Sequence, residues 1–341
     1  MKEKIVLGLS GGVDSAVAAR LLQERYEVTG LYLDIGLGGT GAADAAAVAE
    51  RLGIPFETAD IWAELEREVC APFAADYRAG RTPLPCARCN PAVKFPALFA
   101  LAGRIGARYV STGHYARVEN GVLKKGMPAN DQSYMLARLT REQLQKVIFP
   151  LGDYEKNQVR ALARGFGIPV ADKPDSMEIC FIPDGDYAAF IRRYTGRDYP
   201  AGPFVDEDGK VLGTHEGIIA YTVGQRRGLG VSSDHGRLYV KQIRLADNTV
   251  VLSGNDSLFS AVLEAGGVNL IACGRLDGPV RLSAKVRYRM EEQPCTVWQT
   301  GEDTIRVAFD RPQRAVTPGQ SVVLYDGETV VGGGVIRRTV G

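Results

Sequence analysis

Ile5-Val6-Leu7-Gly8-Leu9-Ser10-Gly11-Gly12-Val13-Asp14-Ser15 is the stretch that decides the fold. Three apolar residues make a short strand, glycine and serine interrupt it, and Val17, Ala18, Leu21 and Leu22 follow at helical spacing. Strand, loop and helix in that order are the unit of a parallel sheet. Val28 to Leu33 reads as a second buried strand, Ala42 to Leu52 as an alanine-rich helix stopped by Gly53, and Tyr109 to Thr112 as a further strand. Such alternation predicts a parallel sheet covered by helices on both faces. A helix is also expected at Lys94 to Leu101, and another runs through Val159, Leu162, Ala163 and Phe166 to a cap at Gly167.

The loop itself suits an anion. Backbone N–H groups and the positive end of the following helix point at one place, and glycines let the chain approach a ligand closely. The hydroxyls of Ser10 and Ser15 can donate to phosphate oxygens. Asp14 would repel phosphate unless a cation lies between them, so Mg²⁺ is implied. The alternative is a plain glycine turn with a serine cap. The string lacks both the Gly-Lys-Ser/Thr ending of a P-loop and the spaced glycines of a dinucleotide fingerprint.

Beyond about residue 195 the character changes. Glycine and proline punctuate short runs, and Asp208-Gly209 and Asp326-Gly327 read as type I′ hairpin turns. Val280, Leu282, Ala284, Val286 and Tyr288 alternate with Arg281, Ser283, Lys285, Arg287 and Arg289, predicting a strand with one packed and one cationic face. That face suits either solvent or a phosphate backbone.

The chain has 341 residues, more than one ordinary core organises, so two or three domains are expected. Apolar residues at 45% and charged residues at 24% make disorder an unlikely default, and a net charge of +1 excludes a protein that coats nucleic acid by sheer basicity. No run approaches the ~20 apolar residues that span a bilayer, so no membrane partner and a cytoplasmic location are expected. Six cysteines are too few for a secreted disulfide scaffold. Cys86-Ala87-Arg88-Cys89 brings two sulfurs toward one point, which suits redox chemistry or a metal, whereas an isolated thiol such as Cys180 is more often a small buried hydrophobe.

The glycine string resembles the signature of the PP-loop ATP pyrophosphatases, which leave AMP on a substrate oxygen. Further strings occur in order: Arg81-Thr82-Pro83, Cys89-Asn90 with Lys94-Phe95, Thr112-Gly113-His114-Tyr115-Ala116, Asp131-Gln132-Ser133-Tyr134, and Lys173-Pro174-Asp175-Ser176 with Ile179-Cys180-Phe181. Tyr221-Thr222-Val223-Gly224-Gln225-Arg226-Arg227-Gly228 and Gln313-Arg314-Ala315-Val316 to Gly319-Gln320 extend them. Together they resemble the tRNA-specific 2-thiouridylases over nearly the whole chain.

The resemblance implies an α/β PP-loop domain of the adenine nucleotide α-hydrolase type with a parallel sheet (1–195), a small central tRNA-binding domain (196–258) and a C-terminal β-barrel (259–341). It implies ATP contacts at Gly8, Leu9, Ser10, Gly11, Gly12, Val13, Asp14, Ser15, Leu33 and Gly113. It implies tRNA contacts at Asn130, Asp131, Gln132, Arg287, Tyr288 and Gln320, with His114 near the target base, a wobble uridine. Cys180 corresponds to the cysteine that carries a persulfide and Cys89 to the one that attacks it, with sulfur arriving from a relay protein or a sulfide source. Attack would leave a Cys89–Cys180 disulfide needing reduction.

The chain departs from that pattern in three places. Cys86 stands where many relatives carry an aspartate able to act as a general base, Leu84-Pro85 replaces Asn-Pro, and Asp34 to Ala43 is short and glycine-rich. Cys86, Cys89 and Cys180 make a set of three, and three thiolates on a [4Fe–4S] cluster would leave one iron open to carry sulfide in place of the persulfide. Zinc would need a further ligand. Two other functions stay open: a PP-loop ligase adenylating a small metabolite, and a tRNA-binding protein without catalysis.

Overall fold

A computed structural model describes residues 2–175, 178–231 and 236–340. Ser176 of the fifth string therefore lies outside the described residues. β1 (Glu3–Gly8), β2 (Tyr26–Asp34), β3 (Phe56–Asp60) and β4 (Tyr109–Ser111) are parallel. A hairpin of β5 (Ala116–Glu119) and β6 (Val122–Lys125) follows, and β7 (Val147–Ile148) returns to complete the sheet in the order β3-β2-β1-β4-β7. Ile5, Val6 and Leu7 are fully buried because helices cover both faces. α1 (Val13–Leu22), α2 (Gly41–Leu52) and the helix Lys156–Gly165 pack on one side, and the helix Phe95–Ile105 on the other.

The chain runs outward from β1 to β2 and β3, then crosses back to β4 on the other side of β1. Strand order therefore reverses between β1 and β4. In an open α/β sheet the loops at the carboxyl ends of such neighbours part and leave a crevice for ligand. The loop after β1 is the glycine string, and the loop after β4 carries Gly113 and His114.

The central unit is a four-stranded sheet of β8 (Gly202–Val205), β9 (Val211–His215), β10 (Tyr239–Arg244) and β11 (Thr249–Ser253), ordered β10-β11-β8-β9 over Phe204, Val240, Val250 and Leu252. The last third comprises β12 (Phe259–Asn269), β13 (Val280–Lys285), β14 (Gln293–Gly301), β15 (Thr304–Arg314), β16 (Ser321–Asp326) and β17 (Thr329–Val340). Their order is β12-β15-β14-β13-β16-β17, and a β12–β17 pairing closes the barrel. Closure removes the exposed edges that an open sheet would present. The β5–β6 hairpin joins β17 through Thr329 and Lys124, so the first unit is stitched to the barrel by backbone pairing.

Two expectations are corrected. Neither Asp208 nor Asp326 has positive φ, whereas a type I′ turn needs it at both central residues. Asn120-Gly121 between β5 and β6 meets that requirement, with φ of 53° and 75°. The cationic strand is also shorter than its alternation, since β13 ends at Lys285. Arg281 is spent on a two-bonded ion pair with Asp310 at 2.7 Å, and Arg287 is turned inward. No described helix is long and apolar enough to cross a membrane.

Candidate active site

The loop from Ser10 to Ser15 closes on itself through serine. Ser15 Oγ accepts from the Ser10 N–H at 3.1 Å, lies 3.2 Å from Ser10 Oγ, and donates to the Gly12 carbonyl at 3.1 Å. Gly12 caps α1 without any side-chain hydrogen bond, which leaves first-turn N–H groups for a ligand. Gly11 has φ of 72°, and a Cβ there would lie 2.5 Å from the Gly41 carbonyl oxygen. The start of α2 is thus pressed against the loop. Gly113 is held equally close from the other side, where a Cβ would stand 2.8 Å from the Ser15 nitrogen. Leu9 and Val13 are buried, so only their backbone faces the crevice. Leu33 is half-buried between two apolar clusters.

Asp14 is the charged centre of this region. Lys156 Nζ donates to both its carboxylate oxygens at 2.7 Å, and the Tyr115 hydroxyl donates at 2.6 Å. Burial and the Asp14 carboxylate raise the Tyr115 phenol far above its ordinary range, so it remains a donor. Lys156 also meets Asp175 at 2.8 Å, and Arg160 holds Asp175 at 2.9 Å. Lys173 bonds Asp44 at 2.5 Å and the Gly11 carbonyl at 3.3 Å. Sequence reasoning named none of these partners as site residues. Tyr115 and Lys173 do sit inside quoted strings, and Lys156 had a physical signal: a cation on the first turn of a helix opposes the helix dipole.

Asn130, Asp131 and Gln132 brace the same region from behind. Gln132 exchanges bonds with Tyr115, its side chain accepting from the Tyr115 N–H at 3.0 Å and its own N–H donating to the Tyr115 carbonyl at 2.8 Å. Asp131 accepts from the N–H groups of Gly126 and Ser133, each at 3.0 Å. The amide oxygen of Asn130, in the orientation that satisfies its neighbours, accepts from the Lys156 N–H at 2.8 Å.

Four thiols, Cys70, Cys86, Cys89 and Cys180, lie close enough for their charges to act on one another. Cys86 and Cys89 lie on the short helix Pro85–Cys89, which continues as a π-helical turn, Asn90–Lys94. Asn90 is buried and donates to the Met135 carbonyl at 3.0 Å, which fixes that turn. Burial raises the Cys89 thiol, while the Lys94 ammonium opposes the rise. Cys180 is exposed, yet surrounding atoms, together with the charges of Cys89 and Cys86, push its thiol up to about 11. Cys70 is buried in the same neighbourhood and pushed to about 12, mainly by burial. All six cysteines are free. His114 donates to or accepts from Thr112 Oγ1 through Nδ1 at 2.6 Å and packs edge-on against Phe149. Burial and then Lys94 hold its pKa well below the ordinary value, so the ring is neutral at pH 7.

Donor grouping tests the cluster reading. Among the described residues no set of three His, Cys, Asp or Glu side chains is placed to hold a metal ion. Cys86, Cys89 and Cys180 are neighbours without being a formed three-thiolate site, so the residues as arranged do not fit an iron–sulfur cluster.

The residues expected at tRNA on the barrel side have internal partners. Arg287 donates to the Val223 carbonyl at 2.7 Å, the Ala315 carbonyl at 3.2 Å and Thr317 Oγ1 at 2.5 Å. Gln320 Nε2 donates to the Thr82 carbonyl at 2.8 Å, directly on the approach to Cys86. Tyr288 is half-buried against Tyr134, with ring centroids 6.1 Å apart.

Family models match along the whole chain: a tRNA methyl transferase HUP domain over residues 3–184, a tRNA methyl transferase PRC-barrel domain over 188–254 and an aminomethyltransferase beta-barrel domain over 262–336. The chain is 42% identical to tRNA-specific 2-thiouridylase MnmA of Clostridioides difficile (strain 630), over 100% of this chain and 99% of that protein. It is 44% identical to the protein of that name from Lachnoclostridium phytofermentans, over 98% of this chain and 100% of that protein.

Proposed function

This chain belongs to the tRNA-specific 2-thiouridylase family, and from that premise we propose how it replaces the 2-oxygen of a tRNA uridine, at the wobble position, with sulfur. The observation that supports the mechanism is the nearness of Cys89 and Cys180, whose charges act on each other, in a chain that also carries a glycine loop at the switch point of its sheet.

ATP is the substrate of the first step. The loop from Gly8 to Ser15 and Gly113 would hold its phosphates by backbone N–H groups and serine hydroxyls, with Leu33 beside the nucleoside. Asp14 is a single carboxylate at the loop, which fits Mg²⁺ because that ion shares its coordination with phosphates and water. Bound there, the ion would neutralise charge on the departing pyrophosphate. The uridine 2-oxygen attacks the α-phosphorus, pyrophosphate leaves, and the oxygen becomes part of AMP, a good leaving group. Neutral His114 offers the base a polar edge without adding charge.

Sulfur then arrives as a persulfide on Cys180, supplied by a relay protein or sulfide source. Its terminal sulfur attacks C2 and AMP departs with the oxygen. The Cys89 thiolate attacks the inner sulfur of Cys180, forming the Cys89–Cys180 disulfide and leaving the second sulfur on uridine as C=S. Two thiols thereby supply the two electrons that reduce the sulfane sulfur, and an external dithiol must restore them. Lys94 favours the Cys89 thiolate that this step needs. A stacked uridine hides C2, so the base is flipped out of the anticodon stack to reach the thiols. Asn130 to Gln132, Arg287, Tyr288 and Gln320 act in this reading by shaping the tRNA face that their internal bonds hold in place.

The test is tRNA-dependent pyrophosphate release followed by single-turnover thiolation, in wild type, Cys89→Ser, Cys180→Ser and Cys86→Ala. Pyrophosphate release should survive in all three variants, thiolation should vanish in the first two, and Cys86→Ala should keep it. Release without tRNA, driven by a small metabolite, would favour the ligase reading, and no release at all would favour a binding protein. Protein purified without oxygen should hold no stoichiometric iron or acid-labile sulfide; about four irons per chain, lost with Cys86, would overturn the persulfide route.

A further inference from the structure

Lys156 and Lys173 come to different residues of the glycine loop, 142 and 162 residues along the chain from the residues they meet. Lys173 Nζ lies 3.3 Å from the Gly11 carbonyl, and Lys156 Nζ lies 2.7 Å from both oxygens of Asp14. Neither ammonium is freely solvated, with side-chain exposures of 34% and 22%. With Arg160 they make three cations facing three carboxylates, Asp14, Asp44 and Asp175. The set is electrically balanced before any nucleotide arrives.

That balance has a structural cost which a fold alone does not require. Lys156 is the first residue of the helix Lys156–Gly165, where the helix dipole disfavours a cation. Its backbone is fixed there by Asn130, and its ammonium lies 5.8 Å from the centre of the Tyr115 ring. The Tyr115 hydroxyl also holds Asp14, so the carboxylate keeps a donor if the lysine turns away. Asp175 likewise keeps Arg160. Each acid facing Lys156 therefore has a second partner, and the ammonium can be exchanged to another anion without stranding either. Lys173 uses two of its three donors, on Asp44 and Gly11, which leaves the third for a further acceptor. Thr40 donates to the Asp44 carboxylate at 2.7 Å and provides the same kind of reserve.

We propose that Lys156 and Lys173 are phosphate-binding residues for ATP, gripping the β- and γ-phosphates at the glycine loop. The inference rests on ATP binding at that loop. Backbone N–H groups at the start of α1 cannot move to follow a charge, and Asp14 repels an unscreened phosphate. Two ammonium groups on flexible stems supply the missing positive charge, and they release it when pyrophosphate leaves. AMP has neither of the phosphates concerned and should be indifferent to both lysines.

The experiment is titration of the full-length protein with ATP plus Mg²⁺ and, separately, with AMP. Lys156→Met and Lys173→Met keep the methylene stem and remove the charge. Each should weaken ATP binding by about ten- to a hundredfold, the range of a charge-assisted hydrogen bond, and leave AMP affinity unchanged. Lys→Arg at either position should recover part of the loss. If removal of Lys156 unfolds the protein by leaving Asp14 and Asp175 opposed, Lys156→Met with Asp175→Asn restores the local balance and is compared with Asp175→Asn alone. Equal ATP affinity in wild type and variants, or parallel loss of ATP and AMP, overturns the proposal. A wild-type protein that binds AMP but not ATP also overturns it, whereas one that binds neither nucleotide brings down the ATP reading itself.

Discussion

His114 sets the first testable balance at the scale of single residues. Burial and Lys94 keep its folded pKa well below the value of 6.5 that it regains on unfolding. The unfolded state thus binds the proton that the folded state refuses, and stability must rise with pH across that interval. The contribution is complete above about pH 6.5 and is lost as pH falls through 6.5 toward the folded pKa, by roughly 1 kcal/mol per pH unit. Urea unfolding of wild type and His114→Gln at pH 7.5 and pH 5.5 should show the smaller acid loss in the variant; equal losses would mean the imidazole is charged when folded. Cys180 moves in the opposite sense. With its thiol pushed to about 11, alkylation by iodoacetamide should be slow at pH 7 and climb until near pH 11. Cys89→Ser removes one neighbouring charge and should bring the midpoint down. The phosphate loop could be read from sequence because its chemistry is contiguous. The contacts of Tyr115 and Lys156 with Asp14 could not, since they span 101 and 142 residues of chain and only the folded sheet brings their ends together.

Elements explain why some glycines are legible and others are not. Gly113 ends no helix and makes no tight turn, yet its missing Cβ lets the β4 loop lie against the backbone of Asp14 and Ser15. Gly113→Ala should displace the glycine loop, cost roughly 1–3 kcal/mol and weaken Mg·ATP binding. Gly103 offers a contrast, since it lies exposed in the helix Phe95–Ile105 with nothing within 4 Å of a Cβ. Gly103→Ala should stabilise by about 0.5–1 kcal/mol without touching activity. Thermal melts with ATP titrations separate the two outcomes. The hairpins follow the same logic. Aspartate before glycine signals a turn, but Asn120 rather than Asp208 or Asp326 takes the left-handed backbone, because flanking pairing decides which two residues occupy the central positions. The alternation from Val280 to Tyr288 likewise gave the packed face of β13 correctly and said nothing of where the strand would end.

Across the whole molecule, the approach to the cysteines is held by all three units at once. Thr82 donates its N–H to the Pro318 carbonyl at 2.9 Å, accepts from Gln320 at 2.8 Å, and meets Thr222 of the central unit at 3.3 Å between hydroxyls. Arg287 ties the central unit to the barrel, spanning Val223 on one and Ala315 and Thr317 on the other. Burial makes this guanidinium an expensive group, and its removal takes the side-chain donor from the Val223 carbonyl, while the Ala315 carbonyl keeps the Thr317 hydroxyl at 2.8 Å. Arg287→Met should therefore cost about 2–5 kcal/mol, and the cost should fall on the junction rather than on any one core. Calorimetry is the measurement that distinguishes these. If the junction couples the units, wild type should melt in one dominant transition and Arg287→Met in two, with the four-stranded central sheet unfolding first because it has the smallest core of the three. Gln320→Ala should loosen Thr82 more mildly: thiolation should fall while Mg·ATP affinity stays at the wild-type value, because the glycine loop is anchored to the other side of the sheet. A single unchanged transition in Arg287→Met would show that the barrel and central unit are held by apolar packing and other bonds, and that the guanidinium is free to serve another partner.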